Sequence, residues 1–384
     1  MATTTSPAPD VVVLGGGAIG LATAWRAAEA GLGVTVVDPA PAQGATWAAA
    51  GMLAPVTEVH YGEETLLRLN LASNARWPAF AEALVDAAGA DIGYRQCGAL
   101  MVARDRDDME ALDALYAFHQ RLGLEVTRLR GREARESEPA LAPRTRGGIL
   151  VEGDHQVDNR ALGWALLAAC ERAGATLVRE RATGVTWAGD RVTGVVLERG
   201  EALAAGTTVV AAGAQTGTLA GLPACLQQVR PVKGQLLHLR TAPFDAGAPP
   251  LASRNLRGLE VYIVPRPDGR LVVGATVEER GADTTVTAGA VRDLLRAAWE
   301  ILPGIDDLEL TETVAGLRPC SPDNAPLLGP AGPEGLVAAT GHFRNGVLLT
   351  PVTAETLTEV LTTGTVPDLI APFAPGRFAQ EPVG

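Results

Sequence analysis

One stretch limits the fold of this chain more than any other: VVVLGGGAIGLATAWRAAEAGLGVTVVD, Val11 to Asp38. Val11 to Leu14 are β-branched or apolar without alternation, as expected of a strand buried on both faces. Gly15, Gly17 and Gly20 follow in a G-x-G-x-x-G spacing. The alanine-rich Ala18 to Ala30 reads as a helix with Gly31 suited to its C-cap. Val34 to Val37 return as a second strand, ended by Asp38.

Each part of this unit has a physical task. Gly15 permits a tight turn, Gly17 lets a pyrophosphate approach the backbone of Ala18 and Ile19, and Gly20 lets helix and strand pack closely. The helix N-terminus presents unpaired N–H groups and a positive dipole end to phosphates. Asp38, eighteen residues beyond Gly20, is placed to bond ribose hydroxyls. An acid there disfavours a 2′-phosphate, which argues against NADP, while NAD and FAD remain.

Composition narrows the function from another side. The chain has 384 residues, more than one hydrophobic core usually serves, so two lobes are expected. Its net charge of -12 repels phosphate backbones and anionic lipid, which argues against nucleic acid and membrane surfaces as partners. The four cysteines form no CxxC and the five histidines no HxxxH or HExxH, so no metal site is expected. The opening MATTTSPAPD lacks a basic-then-apolar leader pattern, and no uncharged apolar run reaches the length of a membrane span. A cytoplasmic location follows as the expectation.

Further along, Glu63 to Gly89 has helical spacing with Leu66, Leu69, Trp77, Phe80 and Leu84 on one face. Asp91 to Val102 reads as a strand hairpin, Asp107 to Gly123 as a helix, and Asp158 as the N-cap of a helix over Asn159 to Arg172. Short strands then run to TVVAAGAQTG, Thr208 to Gly217. VRPVKGQLLHLR, LEVYIVPRPDGRLVVGAT and ELTETVAGLRP alternate as one-sided antiparallel strands do, with RPDGR as a hairpin turn and Thr287 to Ile301 as a helix on that sheet.

Two more segments carry chemistry. GATWAAAGMLAP, Gly44 to Pro55, is nearly all small residues: either a plain alanine-rich helix start, or a place where backbone N–H groups crowd a large flat ligand. GHFRNGVLLTP, Gly341 to Pro351, packs His, Phe, Arg and Asn between two glycines ahead of an expected helix start at Asn345 or Gly346. With the opening motif, these segments resemble the FAD-dependent amine and D-amino-acid oxidase superfamily, above all the thiamine-pathway glycine oxidases.

The resemblance implies an α/β fold: a discontinuous Rossmann-type FAD-binding domain (1–88, 145–224, 315–384) with an inserted antiparallel-sheet substrate domain (89–144, 225–314). It implies FAD held by Gly15, Gly17, Ala18, Ile19, Gly20 and Asp38, then by Thr46, Ala49, Ala50, Gly51 and Met52. Val185 would read the adenine, and Ala212 and Gly213 would return the chain to the cofactor. His342, Arg344, Asn345, Gly346, Val347 and Leu348 would complete the site, the N–H groups of this last turn meeting the flavin edge that gathers negative charge. Arg318 would take a substrate carboxylate through its guanidinium fork, Tyr262 would point its hydroxyl at the substrate, and Arg344 would be a second basic group near it. Val277 stands where relatives carry methionine, and Trp47 where they carry a small residue, so that it either covers the flavin edge or packs outward.

The implied reaction is oxidative deamination of glycine, sarcosine or a small D-amino acid, with oxygen reduced to hydrogen peroxide, in a homo-oligomer linked to thiazole synthase. A same-fold dehydrogenase serving a quinone or carrier, a nicotinamide-dependent reductase and a non-catalytic flavoprotein are the alternatives. Lys233, the only lysine in the chain, is expected near the flavin or at an inter-lobe contact, where a compact ammonium matters.

Overall fold

The computed structural model describes residues 8–241 and 250–378. Most of the N-terminal segment read for a leader, residues 1–7, lies outside them.

The βαβ unit forms as its sequence requires, with strands Val11–Leu14 and Val34–Val37 around the helix Ala18–Glu29. Both strands are wholly buried. They sit inside a six-stranded sheet whose spatial order is Leu327–Pro330, Leu336–Thr340, Thr207–Val210, Val11–Leu14, Val34–Val37 and Thr176–Val178. Every neighbouring pair is parallel except the first. Distant parts of the chain therefore build one sheet. Helices Glu64–Ala88, Asn159–Arg172 and Thr350–Thr363 pack with Ala18–Glu29 over one face, where Trp25, Trp77 and Phe80 meet edge to face at centroid separations of 5.4 and 5.6 Å.

A second, eight-stranded sheet runs in the order Glu309–Cys320, Arg230–Arg240, Arg270–Gly274, Tyr262–Pro265, Asn255–Arg257, Ala99–Ala103, Gly147–Val151 and Thr127–Arg130. It is antiparallel but for the Asn255–Arg257 and Ala99–Ala103 pair. The helix Ala288–Ile301, capped by the Thr287 side chain on the Ala290 N–H, covers its apolar core. The fold is thus mixed α/β, a mostly parallel sheet beside a mostly antiparallel one.

Three sequence expectations change here. Asp91 to Val102 is not a hairpin: residues 91–97 are irregular, and the strand Ala99–Ala103 takes its partners from Gly147–Val151 and Asn255–Arg257. Alternation predicted a strand but could not choose its neighbour. The strand Gly147–Val151, counted with the nucleotide half at a boundary of 145, belongs to the large sheet. The last long helix starts at Thr350, not at Asn345 or Gly346, because Phe343–Asn345 is a tighter 3₁₀ turn and Pro351 suits the first helical turn.

The glycine motif is read directly by close approach. A Cβ on Gly20 would lie 1.9 Å from the Gly15 carbonyl oxygen, and one on Gly15 would lie 2.3 Å from that of Ala211. Both obstacles are backbone, so neither can swing aside. Gly20→Ala should therefore lower stability by about 1–3 kcal/mol in denaturant unfolding. Gly153→Ala, where nothing lies within 4 Å of the added carbon, should stay within about 0.5 kcal/mol of the parent.

Candidate active site

A cleft of about 750 Å³ runs from the carboxyl ends of the parallel strands to the large sheet. Its first stretch is lined by Gly15, Gly17, Ala18, Ile19 and Asp38, the next by Thr46 and Ala48 to Met52. Asp38 Oδ2 accepts the Gly16 N–H at 2.7 Å and Oδ1 that of Ala40 at 2.7 Å, so the carboxylate ties the glycine turn to the second strand. Its remaining lone pairs are available to hydroxyls. The Thr46 hydroxyl accepts the Ala18 N–H at 2.9 Å and caps the helix start.

Deeper in, the Phe343–Leu348 turn lines the cleft. The Leu348 carbonyl is held twice, by Ser73 Oγ at 2.7 Å and Trp77 Nε1 at 2.9 Å. Among the described residues the N–H groups of Gly346, Val347 and Leu348 find no acceptor, and Asn345 Nδ2 is buried without one. A buried donor left unpaired, as Asn345 Nδ2 is, is costly, and together with the three N–H groups it fits an electron-rich polar edge. His342 lines the cleft but its Nε2 pairs with Thr353 Oγ1 at 3.1 Å, and burial pulls its pKa to about 3, so the ring stays neutral.

At the far end stand Arg318 and Tyr262. Arg318 Nη1 donates to the Thr276 carbonyl at 3.1 Å and the Lys233 carbonyl at 3.4 Å. It has no ion-pair partner among the described residues. Its guanidinium lies across Gly234, where a Cβ would come within 2.2 Å of Nη1, and Tyr262 lies across Gly274 in the same way, at 2.5 Å. Burial raises the Tyr262 phenol above its usual pKa, against the opposing pull of Arg318 and Arg257, so it is a neutral hydroxyl donor.

Arg344 pairs with Glu63 and, at 3.4 Å, with Glu58, and Nη2 also donates to the Glu58 carbonyl at 3.1 Å. Glu58 in turn pairs with Arg257. Arg257, Glu58 and Glu63 escaped the sequence reading: nothing in NLRGLE or VTEVHYGEE sets them apart from surface charges. Asp154 holds Glu58 in place. Fully buried, it accepts the Val56 N–H at 3.1 Å, the Thr57 N–H at 2.8 Å and the Thr57 hydroxyl at 2.6 Å. Burial pushes its pKa up to about 6 despite these bonds.

All the expected cofactor residues line the cleft except two. Gly20 sits behind Gly15. Val185 packs in the core beside the cleft and gives its N–H to the Ala220 carbonyl at 3.1 Å; Ala182, on the same strand, reaches the cleft with Arg181. Trp47 packs outward, under the Arg160 guanidinium at 4.0 Å from the ring centroid. Val277, 69% exposed, stands at the mouth. Lys233, expected near the flavin or at an inter-lobe contact, has its side chain outside the cleft lining, although its carbonyl holds Arg318. The residue is 1% exposed within the large sheet, and its ammonium meets Asp283 Oδ2 at 2.6 Å. That bond ties down the far end of a segment whose near end, bearing the Thr276 carbonyl that holds Arg318, is paired through main chain with Lys233 and Gln235. Among the described residues no group of His, Cys, Asp and Glu could hold a metal ion, and no helix is long and apolar enough to cross a membrane.

Comparison with known proteins agrees with this geometry. The family signature described as FAD dependent oxidoreductase matches residues 10–360. A glycine oxidase from Geobacillus kaustophilus is 34% identical over 95% of this chain and 96% of its own length. A solved glycine oxidase from that organism superposes with a TM-score of 0.86, covering 95% of this chain and 98% of its own. The bifunctional protein ThiO/ThiG of Synechocystis sp. is 35% identical over 96% of this chain, which spans only 54% of that longer protein. The hydrogen cyanide synthase subunit HcnC of Pseudomonas aeruginosa is 30% identical over 97% of both.

Since Lys233 acts on Arg318 through a carbonyl and a pinned loop, Lys233→Met should weaken binding of a small carboxylate such as glycolate by roughly three- to tenfold, leaving turnover at saturation less affected. Titration of the visible flavin spectrum measures the first and steady-state rates the second.

Proposed function

Because the chain belongs to the FAD-dependent oxidoreductase family, we propose that it is a flavin-dependent amino-acid oxidase acting on glycine, with sarcosine and small D-amino acids as neighbours in the same class. The observation that carries the reading is Arg318: a guanidinium without an ion-pair partner among the described residues, held by two backbone carbonyls beside Tyr262, at the end of a glycine-lined cleft.

Gly15, Gly17, Ala18 and Ile19 would hold the pyrophosphate of FAD, Asp38 a ribose, and the Gly346–Leu348 N–H groups an anionic ring edge. Bound there, FAD supplies a two-electron acceptor for a hydride from the substrate Cα. The chain's own part is placement. Arg318 takes the carboxylate as a fork, Tyr262 donates a hydrogen bond to it, and the apolar wall from Ala48 to Met52 keeps water from the reacting carbon. The overall reaction balances as glycine, oxygen and water giving glyoxylate, ammonia and hydrogen peroxide. Supply of oxidised glycine to thiazole formation belongs to the same proposal, supported by the joined ThiO/ThiG relatives, as do a cytoplasmic location and a homo-oligomer.

The likeness to the hydrogen cyanide synthase subunit supports a second reading, in which the same substrate is oxidised further; trapping cyanide rather than glyoxylate in the product would select it.

Glycine added without oxygen to the yellow protein should bleach its visible absorbance, and air should restore it with peroxide formed. Bleaching that air does not reverse, but an artificial electron-accepting dye does, would assign a dehydrogenase instead. Arg318→Leu should lower kcat/KM for glycine about a hundredfold or more, as loss of a charge-paired anchor does.

A further inference from the structure

The hairpin turn RPDGR opens on a residue that such a turn does not need. Arg266 gives its N–H to the Arg270 carbonyl at 2.8 Å, closing the turn through main chain, yet the residue is only 3% exposed. Nη1 donates to Gln156 Oε1 at 2.6 Å, and Nη2 to the Ala50 carbonyl at 2.7 Å and to Asn159 Oδ1 at 3.4 Å. None of these acceptors is charged. The two acids near it, Asp158 and Asp268, pair with Arg270 instead. Burial draws its pKa down only to about 10, so the guanidinium is a cation at neutral pH. A buried cation without an ion-pair partner among the described residues is costly, a cost that the turn itself does not call for.

The bond to Ala50 shows where the charge acts. Ala48 to Met52 line the cleft, and Arg266 stands behind that wall, in contact with its main chain. In a planar trans peptide the carbonyl and the following N–H point to opposite sides. With the Ala50 carbonyl turned back to Arg266, the Gly51 N–H is aimed the other way, and it finds no acceptor among the described residues. The fit behind Gly51 is close: a Cβ there would lie 2.0 Å from the Val157 carbonyl oxygen and 3.0 Å from Arg266 Nη2. Asn159 Nδ2 fixes the start of the same segment, donating to the Thr46 carbonyl at 2.8 Å and the Trp47 carbonyl at 3.0 Å.

We propose that Arg266 is a positioning residue that sets the reduction equilibrium of the bound flavin. It turns the Ala50–Gly51 peptide so that the N–H faces the cofactor, and its charge, held by neutral acceptors in a poorly screened interior, favours the cofactor once that carries more negative charge. Reduction delivers two electrons and one proton from the reductant, leaving the flavin one unit more negative. The effect depends on the chain holding FAD and not on which amine reduces it. A merely structural residue would weaken oxidised and reduced FAD alike and leave the equilibrium between them where it was.

FAD-loaded parent and variants are reduced stepwise with dithionite, without oxygen or amine, beside a reference dye of known potential, and the oxidised fraction of flavin and dye is read from the visible spectrum. Arg266→Met should shift the equilibrium at least about tenfold towards oxidised flavin, equal to about 30 mV for two electrons. Arg266→Lys keeps the charge but gives up the planar fork, and should stay within about threefold of the parent. An Arg266→Met protein with the parent's equilibrium, or an Arg266→Lys protein shifted as far as Arg266→Met, would overturn the assignment. If Arg266→Met takes up no FAD, Asp158→Asn decides. Asparagine keeps an oxygen for the Arg160 and Ala161 N–H groups that Asp158 caps and touches none of the three side-chain bonds of Arg266. Removing the opposing negative charge should move the equilibrium about twofold or more towards reduced flavin; no shift, or one the other way, would overturn the assignment. Because no amine takes part, the outcome is separate from that of the oxidase reading.

Discussion

The cleft exists because backbone comes where no side chain would fit. Gly15 and Gly20 let the opening strand, its helix and the Ala211 carbonyl close on one another, and the same device recurs in the other sheet. Gly234 and Gly274 clear the surface on which Arg318 and Tyr262 lie. A Cβ at either position would lift the functional group off the sheet. The two ends of the site are thus built by one rule: rigid main chain beneath, and a polar group fixed upon it by its own geometry rather than by flexible neighbours.

On that floor the charges are arranged against the trend of the molecule. The chain carries a net -12, yet Arg257, Arg318 and Arg344 gather at one end of the cleft. They are held differently. Among the described residues Arg318 is bound by carbonyls alone, which leaves its charge unmatched for a ligand. Arg344 is neutralised by Glu58 and Glu63. Arg257 lies between these cases, sharing Glu58. Behind them Asp154 fixes the Val56–Thr57 backbone and so aims Glu58, while Lys233 fixes the Thr276–Thr284 segment and so aims Arg318. Neither of these two buried groups lines the cleft, yet each ties down a segment that touches one of its arginines.

How much of this was legible follows from the range of each interaction. The βαβ unit, the Asp158 cap and the Trp77 helix face are local, and sequence spacing places them correctly. Trp77 also shows the limit: its apolar face was readable, its bond to the Leu348 carbonyl, 271 residues away, was not. The Asp91–Val102 hairpin failed because alternation specifies a strand without naming its neighbour. Lys233 was conspicuous as the only lysine, but its partner Asp283 is fifty residues on. Nothing marks that aspartate among the other acids.

By itself, then, the sequence determined the nucleotide-binding turn, which is written in local spacing, and left NAD and FAD as its cofactors; FAD itself, and Arg318 and Tyr262 as the residues to meet a carboxylate, were implied by resemblance to a family. Only the tertiary structure decided that the Gly346–Leu348 N–H groups and Asn345 Nδ2 find no partner among the described residues, that Arg257 joins Arg318 along the cleft, and that Trp47 and Val185 do not. Those outcomes depend on which strands pair and which carbonyls are already taken. Such choices are made by long-range packing and hydrogen bonding, for which neighbouring residues carry no signal.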